Sequence, residues 1–386
     1  MTLSKYAQIT KGIKKRSVNF NAGDTAFAVL GVFCFILIMK NSSAAIEYMG
    51  RGLSLCASTV IPSLFPFMVI SELLVKSGVG NALGKFLAPV MKRVFNLSGA
   101  GCSAAFLGSL CGFPIGAKTA ISLYDSGDIS KSEAEHLMTF SNNPSTAFLI
   151  NAAGITLLGN KSLGVLIYFC VLGSGFIAGF LTRFFIRSDS KPKSSEHKKR
   201  RRISGVEVFT TSVSGAAGGM LTVCAYVIFF SALTGALADM LSAFSDIPDW
   251  TRALIFGFFE ISSGISRAAE ISHPFTAAIL CSLIAGWSGL SVHFQIISIG
   301  SGRGISFKPY IISKFFQGLL AAILTAIFLI IFPKTLQCGS LYEDAFAFDF
   351  FRKLPTSEVF AFSVKSLFLC GMIGYFIKRK SSRFLS

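Results

Sequence analysis

Lys118 stands two residues past Gly116 in an otherwise apolar stretch, and a charged side chain in such surroundings needs a partner or a task. One task is to bind an anion. The segment Cys111-Gly112-Phe113-Pro114-Ile115-Gly116 interrupts the run just before it, and free amides where a helix restarts would add positive potential beside Lys118 and Thr119. The plainer reading is a lysine whose stem lies along apolar surface with its ammonium reaching water. Glu72 and Glu260 each follow an apolar helical run, so either can pair with Lys118, carry a proton, ligate a coupling cation, or sit solvated at an interface. His293 follows Gly286-Trp287-Ser288-Gly289-Leu290-Ser291-Val292 and would titrate near neutrality, or pack as a satisfied helix residue. Asn142, Asn143, Ser145, Ser291 and Gln295 offer neutral hydrogen bonds to a polar solute, and a helix cap accounts for the Asn pair equally well.

Other chemistry lacks its residues. No phosphate-binding glycine loop, HExxH or GxSxG occurs, so no catalytic residue, metal or cofactor is expected. The nine cysteines include no CxxC pair, and Cys34, Cys170, Cys224 and Cys370 lie inside apolar runs as small hydrophobes.

The elements that would position these groups belong to a membrane protein. Of 386 residues 14% are charged and 52% hydrophobic, whereas soluble domains hold about a quarter charged. A net charge of +17 would suggest nucleic acid, but the basic residues gather in three places that flank apolar runs. They are the arm before Ala22, the run Arg187 to Arg202, and the tail from Lys378. That is the pattern of cytoplasmic segments, so nucleic acid is set aside. No small-residue cleavage site ends the first apolar run, which reads as a retained span.

Spans are expected at 24–40, 161–186, 215–238, 309–332 and 358–377. Residues 52–76 read as a helix interrupted at Pro62 and Pro66, and 99–124 as a segment cut at Gly112–Gly116. Backbone breaks at membrane depth are tolerated where protein or a cavity surrounds them. Ser130-Lys131-Ser132-Glu133 fits a capping box, and Pro144 ends the helix that it starts. The expected divisions are a basic cytoplasmic arm at 1–23, a membrane half at 24–187, a basic cytoplasmic linker at 188–204, a second half at 205–333, an external loop at 334–357, and a last span with basic tail at 358–386.

The halves share a pattern. Gly112-Phe113 precedes Gly127-Asp128-Ile129-Ser130, and Gly286-Trp287 precedes Gly302-Arg303-Gly304-Ile305-Ser306. An apolar helix with one acid, Glu72 or Glu260, lies upstream of each. Paired Gly/Pro-interrupted segments at matching positions point to the midplane site of a transporter.

The run Leu107 to Thr119, then Gly127-Asp128-Ile129-Ser130 and Phe140-Ser141-Asn142-Asn143, resembles the signature of the YlbJ/SpoVV family of sporulation membrane proteins, with Phe113 where Tyr is more usual. Phe258 to Gly264 and Gly286 to His293 are similar to that family's second signature. The resemblance implies an all-α polytopic membrane protein with two Gate, or nucleoside-recognition, repeats of broken or re-entrant helices. It implies transport of dipicolinate across the outer forespore membrane for spore core and cortex maturation. The substrate-binding set expected is Gly112, Phe113, Pro114, Gly116, Lys118, Thr119, Asn142, Asn143, Ser145, Gly286, Trp287, Ser291 and His293, with Glu72 and Glu260 for coupling or charge pairing. The expected partners are a small anionic metabolite and the bilayer, with a second copy or a sporulation membrane protein also open. A nucleoside carrier and a non-transporting assembly protein of the same membrane are the alternatives.

Overall fold

Apolar runs form helices here until a Gly-Pro pair or a polar cluster intervenes, and those interruptions set the architecture. The computed structural model describes residues 22–77, 84, 87–186, 204–244 and 247–336, and among these only helices and turns occur. The arm, the linker and the expected last span at 358–377 lie outside the described residues, as does most of the loop at 334–357.

Helix α1 (Ala22–Lys40) bends by 99° into α2 (Ser42–Leu55). A π turn at Cys56–Val60 then leads into α3 (Ile61–Ser77) without a break. The interruptions expected at Pro62 and Pro66 are therefore absent, and Pro66 lies within α3. The wide turn supplies the reason, because proline crowds the carbonyl four residues back, and Ser58, four before Pro62, sits in that turn.

After α4 (Leu87–Phe95), which bends by 100° into the next helix, the first half contains a hairpin and then a broken span. Helices α5 (Cys102–Cys111) and α6 (Ile115–Asp125) fold back on each other as a hairpin with Gly112 at its tip. Helices α7 (Lys131–Phe140) and α8 (Ala147–Leu157) are separated by Ser141–Pro144. The expected capping box starts α7, with Ser130 Oγ accepting from Glu133 N at 3.2 Å and the Glu133 carboxylate accepting from Ser130 N at 3.0 Å. Helix α9 (Lys161–Thr182) closes the half.

The second half repeats this order. The 38-residue α10 (Gly205–Ser242) precedes a hairpin of α11 (Asp249–Phe259) and α12 (Ile261–Ala269). A span broken at Ser288, formed by α13 (Pro274–Trp287) and α14 (Gly289–Gly300), leads to α15 (Lys308–Ile331). The register of the repeat differs from the one expected. The hairpin tip at Gly112–Pro114 corresponds to Glu260, and Ser141–Pro144 corresponds to Ser288, because the first pair turns a chain back while the second interrupts a chain that continues. Glu260 accordingly sits at a tip rather than within a helix.

Among the described residues four helices are long and apolar enough to span a bilayer, namely α9, α10, the pair α13–α14 and α15, or up to six counting bent pairs. The crossing at Pro274–Gly300 adds to those expected from sequence. Helix α10 runs antiparallel to α2–α3, with Gly215 against Glu72 and Gly235 against Tyr48. The ends of α6 and α14 meet through Arg303 and Asp125, Nε to Oδ1 2.8 Å, whereas α8 and α12 pack together at the other end. The two hairpins therefore enter from opposite ends, as in an inverted repeat.

Candidate functional site

The first hairpin is fastened to the first broken span. Phe113 N donates to Asn143 O at 2.8 Å, and Ala117 N donates to Asn142 Oδ1 at 2.7 Å. Gly108 and Gly116 both face the Ser141 carbonyl so closely that a Cβ at either would overlap it. Gly112 has φ +86, and a side chain there would meet Ser145. The second hairpin closes differently. Glu260 caps α12, its carboxylate accepting from Ser262 N at 3.0 Å and Ser263 N at 2.7 Å. These amides are otherwise orphaned, and the carboxylate opposes the helix dipole.

Both tips and both broken spans border one cavity, holding about 720 Å³ of empty space including its open mouth. Phe113 comes from the first tip, Glu260 and Ser262 from the second, Ser145 and Phe148 from the first broken span, and Ser291 and Gln295 from the second. Leu55, Val60 and Leu64 form one wall with Val223 and Val227 of α10. The π turn thus sits at the cavity wall. Gln295 is buried, its Nε2 donates to Ser291 Oγ at 3.4 Å, and its Oε1 has no hydrogen-bond partner among the described residues.

Of the residues expected to bind substrate, Phe113, Ser145 and Ser291 line this cavity, joined by Glu260 from the charge-pairing candidates, while Gly112 and Pro114 flank Phe113 in the chain. The others serve elsewhere. Lys118 Nζ pairs with Glu72 Oε1 at 2.5 Å and donates to Gly215 O at 2.9 Å, so it lies in a layer beyond the cavity and joins α6 to α3 and α10. Glu72 also holds Lys76 at 2.9 Å. Thr119 bonds Ser71, Oγ1 to Oγ 2.8 Å, in the same seam. Asn142 and Asn143 cap and brace the break. Gly286 packs on Gly318, and Trp287 stacks on Phe258 with centroids 5.7 Å apart and borders a separate apolar groove. His293 is buried with Nδ1 3.0 Å from Tyr310 Oη.

Sequence reasoning missed Lys314 and Gln317. Lys314 is fully buried and its Nζ donates to Asn142 O and, at 2.8 Å, to Gln317 Oε1. Gln317 Nε2 donates onward to Asn143 Oδ1 at 2.7 Å and Val171 O at 2.9 Å. The signal in the sequence was one cation within an apolar run, the seventh residue of α15.

Helical hairpins that meet broken spans across an inverted repeat define an all-α polytopic integral membrane protein. Residues 57–161 match the Gate family, described as nucleoside recognition, a stretch that takes in the first hairpin and the first break. The sporulation integral membrane protein YlbJ of Bacillus subtilis (strain 168) is 28% identical over 333 residues, which is 76% of this chain and 79% of that relative. The resemblance expected from the motifs is borne out. No solved structure matches.

Proposed function

We propose that the chain is a secondary transporter for a small metabolite, which in a sporulating cell is dipicolinate crossing the outer forespore membrane. The observation that supports transport is the convergence of both hairpin tips and both broken spans on one cavity, the arrangement in which transporters hold substrate near the bilayer midplane. Its size suits a small ring compound, and Phe113 and Phe148 offer aromatic faces. The sporulation reading rests on the likeness to a sporulation integral membrane protein.

The charge of the cavity favours a second reading of the substrate. Among the described residues its lining carries the Glu260 carboxylate and no Lys, Arg or His, while Lys118 is held by Glu72 one layer away. A dianion is met there by hydroxyls alone unless Lys118 is released or the substrate enters with protons or a cation. A neutral solute with several donors, such as a nucleoside, suits Glu260 and the free Gln295 oxygen directly.

Uptake of labelled dipicolinate into proteoliposomes, with uridine as competitor, tests both. Saturable dipicolinate uptake lost in Lys118→Met supports the anion carrier with Lys118 released to its substrate. Uptake that survives Lys118→Met but falls at least tenfold in Glu260→Gln favours entry with a proton or cation that Glu260 holds. Preferential uridine uptake favours the nucleoside reading, and no uptake of either solute under any imposed gradient favours the non-transporting assembly protein.

A further inference from the structure

The break in the first broken span exposes backbone carbonyls at the C-terminal end of α7, the negative end of a half-helix. In transporters such carbonyls ligate sodium or a proton. Here the position is already filled. Lys314 reaches from α15 so that its ammonium meets the Asn142 carbonyl and Gln317 Oε1, with none of its surface exposed. A cation buried this deeply ordinarily keeps a carboxylate beside it. Among the described residues none forms an ion pair with Lys314. Glu133 of α7 is bound to Ser98 N and Ser130 N, Glu135 of α7 accepts from Ser306 N, and Glu260 caps α12. The titratable groups that face it are His293 of α14, which lies within its electrostatic reach, and Tyr310 one turn back on α15, bonded to His293. Lys314 Nζ is therefore met by carbonyl oxygens, the ligands that a monovalent metal ion would use.

We propose that Lys314 is a tethered monovalent cation, whose ammonium occupies a site that the break would otherwise offer to sodium or lithium. Its bearing on coupling rests on the transport reading, because a site filled by the chain itself leaves no room there for a dissolved ion to drive the cycle. The site itself does not depend on transport.

The test is thermal unfolding of the purified full-length protein in detergent, with sodium chloride exchanged for choline chloride at constant ionic strength. Wild type and Lys314→Arg are expected to unfold at the same temperature in both salts. Lys314→Ala and Lys314→Gln are expected to unfold several degrees lower in choline and to recover saturably with sodium or lithium. The proposal is overturned if the Ala and Gln variants gain no more from sodium than wild type does, or if Gln matches wild type in choline. Should Lys314→Ala fail to fold in either salt, the contrast between Gln and Arg decides: sodium rescue of Gln alone supports the tethered cation, and equal behaviour of the two overturns it. Uptake is not read, so a chain that carries nothing would still answer.

Discussion

Asn142 shows how a residue that looks like a ligand can be spent on structure. Its side chain accepts from Ala117 N and donates to Met138 O at 3.1 Å, both inside the protein. Asn142→Ala leaves a buried amide and a buried carbonyl without partners, each worth about 1–3 kcal/mol, so unfolding should occur several degrees lower in detergent. Glu260 separates two roles by comparison of variants. Glu260→Ala removes the cap and should cost about 0.5–2 kcal/mol of stability, whereas Glu260→Gln keeps an acceptor oxygen and should cost less. If both lower uptake equally while only Ala unfolds early, the carboxylate charge acts on substrate. The types of these residues were legible in sequence, but their partners were not. Lys118 could be singled out as a charge needing company, and Glu72 was one of the acids considered for it. Nothing local announced that Lys314, 172 residues from Asn142, would meet that carbonyl. Such pairings are set by how helices pack, and the sequence pattern records only the burial face of each.

At the scale of elements, the capping box and the two proline-containing breaks were legible because each follows from local backbone rules. The helix through Pro62 and Pro66 was misjudged for a related reason: whether a proline breaks a helix or is absorbed by a wider turn depends on the packing around it, here against α10. The hairpins depend on close approach between glycines. Gly116→Val should prevent the first hairpin from closing on the Ser141 carbonyl and abolish folding into the membrane. Gly218→Ala on α10, where an added Cβ meets nothing within 4 Å, should be neutral or stabilise by up to about 1 kcal/mol. Yield of monodisperse protein in detergent separates the two.

At the scale of the whole molecule, the halves are joined by contacts of unequal weight. The Arg303–Asp125 pair links them at one end, yet both side chains are more than a third exposed, so Arg303→Ala should cost less than about 1 kcal/mol and shift the unfolding midpoint little. The long seam of α10 with α2–α3 buries small residues against side chains, as where Gly52 meets Ser231, and Gly52→Leu should separate the halves and lower the midpoint far more. The twofold plan was visible in sequence as repeated motifs, but its register was not. Short Gly-aromatic motifs recur at hairpin tips and at breaks alike, and only the direction of the following helix tells them apart.

The bonds from Phe113 and Ala117 to the Asn143 and Asn142 oxygens make the first hairpin and the first broken span a single mechanical piece. Neither can swing alone without baring buried amides. Any change that opens the cavity by moving this piece must then carry it as a block, and must part the Lys118–Glu72 and Thr119–Ser71 contacts that moor it to α3, like a vessel that leaves its berth whole or stays.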